Sequence, residues 1–257
     1  MLKSLLPSGL RNLLRPWKAP WFAFARGRVL SRTGGIVASG PFAGMKIEME
    51  HPDLCKVLGT YEREIHGAIE ELSRTDFERV LNIGGGEGYY TAGMARLFPK
   101  AIVTVFESDE RKHQSIRRLA LANGVSERVR IFGHCAPGML LDALNGAEPT
   151  LLLMDVEGAE GDLLTERHAA RLRDSHILLE THDGYRPGVG ELIAERFHPT
   201  HELRRFQSLR RVAEDFPLKG LDLALLPGKT LCRVMDEHRP FPQEWFLLTP
   251  LSRKSAS

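Results

Sequence analysis

The sequence predicts an α/β protein built on a mostly parallel sheet with helices on both faces. Three observations carry that expectation. Apolar runs of strand length recur at residues 80–83, 102–106, 129–132, 151–154 and 177–179. Their regular alternation with intervening segments is the pattern of buried strands joined by crossovers. The segments between them have helical length, as right-handed crossovers between parallel strands require. A chain of 257 residues with 42% hydrophobic content holds one sizeable core, so an arm and hairpin over residues 1–50 and one main domain over 51–257 are expected.

The elements follow in order. The first 47 residues carry Lys3, Arg11, Arg15, Lys18, Arg26, Arg28, Arg32 and Lys46 and no acidic residue, interleaved with Leu13, Leu14, Trp17, Trp21, Phe22 and Phe24. Basic and aromatic side chains together suit an anionic membrane surface, so peripheral membrane contact is one reading. The favoured reading is a cover that packs its apolar groups inward and leaves its cations in water. A mitochondrial transit peptide has the same composition. Pro7 and Gly9 interrupt any secretory core, and no apolar run is long enough to cross a bilayer. Ser39, Gly40, Pro41 and Gly44 punctuate SGPFAGMKIEM as a small hairpin, and helical spacing over residues 52–74 predicts one or two helices before the first strand. Cys55, Cys135 and Cys232 form no CxxC pair, which argues against a disulfide framework or structural zinc and for a reducing, cytoplasmic compartment. Lys+Arg 35 against Asp+Glu 33 leaves no strong field for nucleic acid.

The most unusual stretch is VLNIGGGEGYYT, residues 80–91. Gly84, Gly85, Gly86 and Gly88 follow the first expected strand, at the carboxyl end of the sheet where such folds bind ligands. Glycines there admit a ligand that a Cβ would exclude. The spacing is not G-x-G-x-x-G, because Tyr89 or Thr91 stands at the third position, and no lysine follows to make a phosphate loop. What remains is G-x-G-x-G. The next strand ends in VFESDE, placing Glu107 about twenty residues on, where a carboxylate accepts both hydroxyls of a ribose. An adenosine-containing ligand without a pyrophosphate is the economical expectation.

These residues resemble a known group. NIGGGEGYYT followed by VFESDE looks like the first two motifs of the class I S-adenosylmethionine-dependent methyltransferases, and LLMDVEGAE, residues 152–160, closely resembles the DVEGAE signature of the FkbM-type family. The resemblance covers residues 59–183, with GTYEREIHGAI at its entry. It implies a Rossmann-like class I methyltransferase fold, a seven-stranded sheet with one antiparallel strand at the end, whose last two strands fall at 200–206 and 244–248. It also implies methyl transfer, most often to a hydroxyl of a sugar, lipid or secondary metabolite. Carried over by position, Gly84, Gly86 and Gly88 wrap the methionine part of S-adenosylmethionine, with Tyr89 next to them. Glu107 holds the ribose, His134, Cys135 and Ala136 contact the adenine, and Asp155 faces the transferable methyl. Asn82 stands where many relatives have an aspartate; its amide still hydrogen-bonds but lacks the charge, which implies weaker affinity or an altered pocket.

A sulfonium methyl is already activated, so the protein must align an acceptor and take its proton. Candidate bases are Asp155 and Glu157 after one strand and Glu180, His182 and Asp183 after the next. His182 is favoured because imidazole titrates near neutrality. The competing reading for His182 is a ring satisfied by backbone, and for Glu157 and Glu160 it is ordinary charge at a helix start. The same carboxylates suit a divalent cation, a reading placed second to a metal-free one. Glu62 and His66 are expected on one helix face, in a region that closes over the cofactor in similar proteins. Residues 236–239 are read as bordering an acceptor pocket, and Phe241, Trp245 and Phe246 as core. The expected activity is O-methylation of a small-molecule or carbohydrate-like acceptor; the alternatives are a non-catalytic S-adenosylmethionine-binding scaffold and an RNA methyltransferase.

Overall fold

The computed structural model describes residues 19–48, 52–146 and 149–251. Its centre is a sheet of β1 (Arg79–Ile83), β2 (Ile102–Phe106), β3 (Val129–Phe132), β4 (Thr150–Met154), β5 (His176–Thr181), β6 (His201–Gln207) and β7 (Glu244–Pro250), in the order β3-β2-β1-β4-β5-β7-β6. The strands β1 to β5 pair in parallel. The strand β7 runs antiparallel to both β5 and β6. The antiparallel strand is thus last in the chain but lies inside the sheet. All seven strands fall where the apolar runs and the resemblance place them. Every residue of β4 is buried, which is why it reads as an uninterrupted apolar run.

Strand order reverses between β1 and β4, so the connections leaving these neighbours diverge to opposite faces and open a crevice at their carboxyl ends. Leu81, Ile83, Leu152, Met154, Ile177, Leu179 and Phe246 pack on one face of the sheet as a continuous core. The helices are α1 (Ala19–Thr33), α2 (Leu54–Leu58), α3 (His66–Leu72), α4 (Tyr89–Leu97), α5 (Glu110–Ala122), α6 (Pro137–Ala143), α7 (Glu160–Leu163), α8 (Glu166–Arg171), α9 (Val189–Phe197), α10 (Leu221–Ala224) and α11 (Gly228–Val234). The start of α5 is fixed by Asp109, whose side chain accepts from the Arg111 amide at 3.1 Å. Burial of Ile116, Leu119 and Ala120 seats that helix against the core.

The chain forms two units. One contains the sheet, within residues 45–48, 62–209 and 239–251. The other gathers residues 19–44, 52–61 and 210–238, in which α1 packs on α2 and α11. Ala25 and Val29 on α1 are fully buried, one turn apart. Lys3, Arg11, Leu13, Leu14, Arg15, Trp17 and Lys18 of the basic segment lie outside the described residues. The expected hairpin at 39–49 is a turn without strands over its described part, in which Ala43 donates to the Gly40 carbonyl and Gly44 to that of Val37. Glu62 and His66 do not share a helix face, because Glu62 has φ 48° and a short 3-10 turn separates it from the first residue of α3. No helix among the described residues is long and apolar enough to cross a membrane.

Candidate active site

The glycine turn does two jobs, and only one concerns a ligand. A Cβ on Gly84 would stand 1.7 Å from the Asp155 carbonyl oxygen, and one on Gly85 would stand 2.3 Å from Val105 Cγ2. A Cβ on Gly88 would meet the Ile116 backbone at 3.0 Å. These three glycines serve close packing of the chain on itself. Gly86 alone, with φ 52°, has no heavy atom within 4 Å of where its Cβ would be. Three of the four thus answer to β4, β2 and α5, and Gly84 lines the candidate cavity as well. Gly84→Ala is expected to cost about 3 kcal/mol of stability, through a clash with fixed backbone at a positive φ. Gly86→Ala is expected to cost only about 1 kcal/mol, for the left-handed conformation alone. Denaturant unfolding of both variants checks the contrast.

Beside Gly86 lies a cavity of about 350 Å³ between the ends of β1, β2 and β4. Gly84, Gly86, Glu107, His134, Cys135, Asp155 and Glu157 line it, so most sequence-selected residues converge on one space. Asn82, Gly88, Tyr89 and Ala136 are not in its lining. Asn82 is buried and donates from Nδ2 to Thr91 Oγ1 at 2.9 Å, tying β1 to α4 instead. Glu107 accepts from the Gly86 amide at 2.6 Å through Oε2 and from the Asp109 amide at 2.8 Å through Oε1. Each oxygen keeps a second lone pair, so the carboxylate is held rigidly and can still accept two hydroxyls. Burial pushes the Cys135 thiol up to about 11, leaving it neutral and unreactive at physiological pH.

Where β4 and β5 end side by side, the segments after them bring His182 among four carboxylates. His182 is fully buried, and its Nδ1 lies 2.5 Å from Glu160 Oε1. Its Nε2 faces Asp155 Oδ1 at 3.5 Å, Glu180 Oε2 at 3.5 Å and Glu157 Oε2 at 3.6 Å, with no hydrogen-bond partner. Asp155 Oδ1 is likewise buried and without one. Burial pushes the imidazole pKa down, but the Glu160 hydrogen bond and the charges of Glu160, Asp155 and Glu157 override it and hold His182 above its ordinary value. Burial raises Asp155 as well, and it drives Glu180 up to about 11, helped by the charges of Glu62 and Asp155. The side-chain hydrogen bond between those two therefore has Glu180 donating and Asp155 accepting. The Tyr185 ring, 55% exposed, stacks on His182 at 5.9 Å.

Two residues hold contacts that sequence reasoning missed. Glu160, read there as helix-start charge, is fully buried and fixes the His182 ring, with the Gly158 amide also donating to it at 3.1 Å. The signal was available in the adjacency of β4 and β5, which brings DVEGAE beside ETHD. Arg239, read only as part of a pocket border, donates to Glu180 at 3.1 Å and pairs with Glu62 at 3.3 Å and Glu64 at 3.1 Å. Tyr90 donates its hydroxyl to Glu62 in the same cluster. Trp245 and Phe246 are core as expected, while Phe241 is half-buried and meets Tyr185 edge-on at 4.8 Å. Asp183 caps the turn into α9, accepting from the Gly188 and Gly190 amides.

Asp155, Glu157 and His182 also satisfy the geometry of a cation site, each offering a donor atom within 4.8 Å of the others. Nitrogen and hard oxygen ligands in such a set suit a divalent metal.

No family profile and no curated protein matches this chain. Among solved structures, it is similar to a protein from Klebsiella pneumoniae assigned as an O-methyltransferase, at 16% identity and TM-score 0.51, over 95% of this chain and 96% of that one. It is also similar to cofactor-bound Rv0187 from MTB, at 13% identity and TM-score 0.51, over 95% of this chain and 97% of that one. Likenesses at this identity establish the architecture, which is the Rossmann-like class I methyltransferase fold.

Proposed function

We propose that this protein is an S-adenosylmethionine-dependent O-methyltransferase of the FkbM type, acting on a hydroxyl of a small or carbohydrate-like acceptor. One observation carries the reading: Asp155 and Glu157 line the nucleoside-sized cavity and at the same time face the unpartnered Nε2 of His182. A binding space and a proton acceptor thus share a wall. The residues fit the cofactor, because Gly86 leaves open room where a side chain would intrude and Glu107 retains acceptor capacity. Bound there, S-adenosylmethionine supplies a methyl group already activated on a sulfonium.

The remaining work falls to the chain. Glu107 would take the ribose hydroxyls, His134 and Cys135 would border the adenine, and Asp155 would stand at the end from which the methyl leaves. Glu160 holds the imidazole with Nδ1–H toward itself, so neutral His182 presents the Nε2 lone pair toward Asp155 and Glu157. An acceptor hydroxyl reaching that point gives its proton to Nε2. The resulting imidazolium is stabilised by carboxylates already in place, and nothing has to reorganise. The exposed Tyr185 ring beside His182 offers a flat apolar surface to an acceptor ring.

A second reading is favoured by the donor set itself, in which Asp155, Glu157 and His182 bind a divalent cation that orients the acceptor hydroxyl. The two readings exclude each other at Nε2, which cannot be both ligand and base. A scaffold that binds the cofactor without turnover would leave both unused.

Titration calorimetry with S-adenosylmethionine, followed by detection of S-adenosylhomocysteine over a panel of hydroxylated acceptors, tests the proposal. Glu107→Ala is expected to weaken cofactor binding about 10- to 100-fold, the loss of two charge-assisted hydrogen bonds. Absence of binding to the wild-type chain overturns the reading, and binding without turnover over the panel favours the scaffold.

A further inference from the structure

We infer that the unit formed by residues 19–44, 52–61 and 210–238 carries a docking surface for anionic lipid, made by Trp21 and Phe24 of α1 and by Leu221 and Leu225 around α10. The proposal is independent of the methyl-transfer site. The inward face of α1 is satisfied, since Ala25 and Val29 are fully buried, but Trp21 remains 52% and Phe24 46% exposed. Trp21, Phe24 and Arg28 recur at i, i+3 and i+7, so one outward stripe holds them over about 10 Å of helix. Arg28 and Arg32 both reach Asp222 at 2.5 Å, which pins α10 beside the end of that stripe. Leu221 in this short helix and Leu225 at its C-cap are 86% and 81% exposed, more than any other large apolar residue among those described. They lie four residues apart and so point the same way.

Protruding aryl and leucyl tips beside guanidinium groups are the pattern of an interfacial membrane contact, in which apolar groups enter the acyl boundary and cations stay at the headgroups. Charge selects the lipid over other occupants. The segment that leads into and through α1, residues 1–47, has basic side chains at Lys3, Arg11, Arg15, Lys18, Arg26, Arg28, Arg32 and Lys46 and not one acidic residue. Such a segment is drawn to a negative leaflet, and Arg28 and Arg32 together outweigh the one carboxylate, Asp222, that they pair with. The cover expected from the sequence therefore describes only the inner face of α1.

The test is sedimentation of the full chain with vesicles of phosphatidylglycerol and phosphatidylcholine, or of phosphatidylcholine alone. Binding to the mixed vesicles is expected, falling steeply as salt rises, with little binding to the neutral ones. The double variants Trp21→Ser/Phe24→Ser and Leu221→Ser/Leu225→Ser change only exposed groups. Each is expected to weaken vesicle binding about tenfold or more while leaving the unfolding midpoint near that of the wild type. No sedimentation with anionic vesicles overturns the proposal. So does sedimentation that neither double variant changes. Concentration-dependent self-association in solution that the same variants abolish also overturns it, because the surface would then be a contact between copies of the chain.

Discussion

His182→Asn is expected to bind S-adenosylmethionine as the wild type does and to turn over about 100- to 10,000-fold more slowly, the loss typical of a general base. Asparagine preserves approximate size and a polar contact to Glu160 but has no basic lone pair for the acceptor proton. The effect should fall on kcat, since His182 is not among the residues lining the cavity that would hold the cofactor. The pH profile gives an independent reading. Because the surrounding carboxylates hold His182 above its ordinary value, activity should rise with pH through a midpoint above that value and level off where the ring is neutral. Glu160→Gln removes the largest of those raising influences, so its midpoint should move to lower pH while some turnover persists. A merely structural Glu160 would change stability without moving that midpoint. Chelation separates the cation reading. If His182 is a ligand, a chelator abolishes wild-type turnover and added magnesium or manganese restores it; if His182 is the base, the chelator changes nothing. Full kcat in the asparagine variant would remove His182 from the chemistry under either reading.

What the sequence made legible follows from how strongly each feature is written into local pattern. Strands buried on both faces, such as TLLLM at β4, announce themselves as unbroken apolar runs. The insertion of β7 between β5 and β6 is a pairing between segments far apart in the chain, and no local period encodes it. Glu107 was legible because it sits at a fixed distance from the glycines along a regular unit. Glu160 was not, since its value comes from a ring on the neighbouring strand, and a glutamate at a helix start has an adequate local explanation. The packing role of the glycines was out of local reach in a similar way. Gly84 and Gly88 answer to Asp155 and Ile116, residues brought near only by folding. Asn82 stood at a position that family resemblance assigns to the cofactor, yet its amide is occupied by Thr91 in the helix that follows.

The buried cluster around Arg239 should give two substitutions of opposite sign. Arg239 pairs with Glu62 and Glu64, each 2% exposed, and donates a hydrogen bond to the protonated Glu180, 4% exposed. Arg239→Met keeps apolar bulk but leaves carboxylates buried without their cation, and a broken buried pair costs about 3–5 kcal/mol at neutral pH. Acid should relieve the deficit, because protonating the glutamates removes the charge that needed a partner. Glu180→Gln should act the other way. The carboxyl of Glu180 is raised from 4.5 to about 11 by burial and by the charges of Glu62 and Asp155, so it stays protonated in the fold when it would ionise in the unfolded chain. A group raised in this way favours the folded state fully below its ordinary value, and that contribution is lost progressively as pH climbs from there. Glutamine reproduces the protonated form, accepting from Arg239 and donating to Asp155, and has no proton to surrender. It should therefore stabilise the protein by about 1–3 kcal/mol at mildly alkaline pH and flatten the decline of the unfolding midpoint above neutrality. Denaturant unfolding of both variants across pH 5 to about 9 decides the matter. If Glu180→Gln destabilises the protein as much as Arg239→Met does at the alkaline end, Glu180 is ionised in the fold and the proton shared with Asp155 belongs elsewhere.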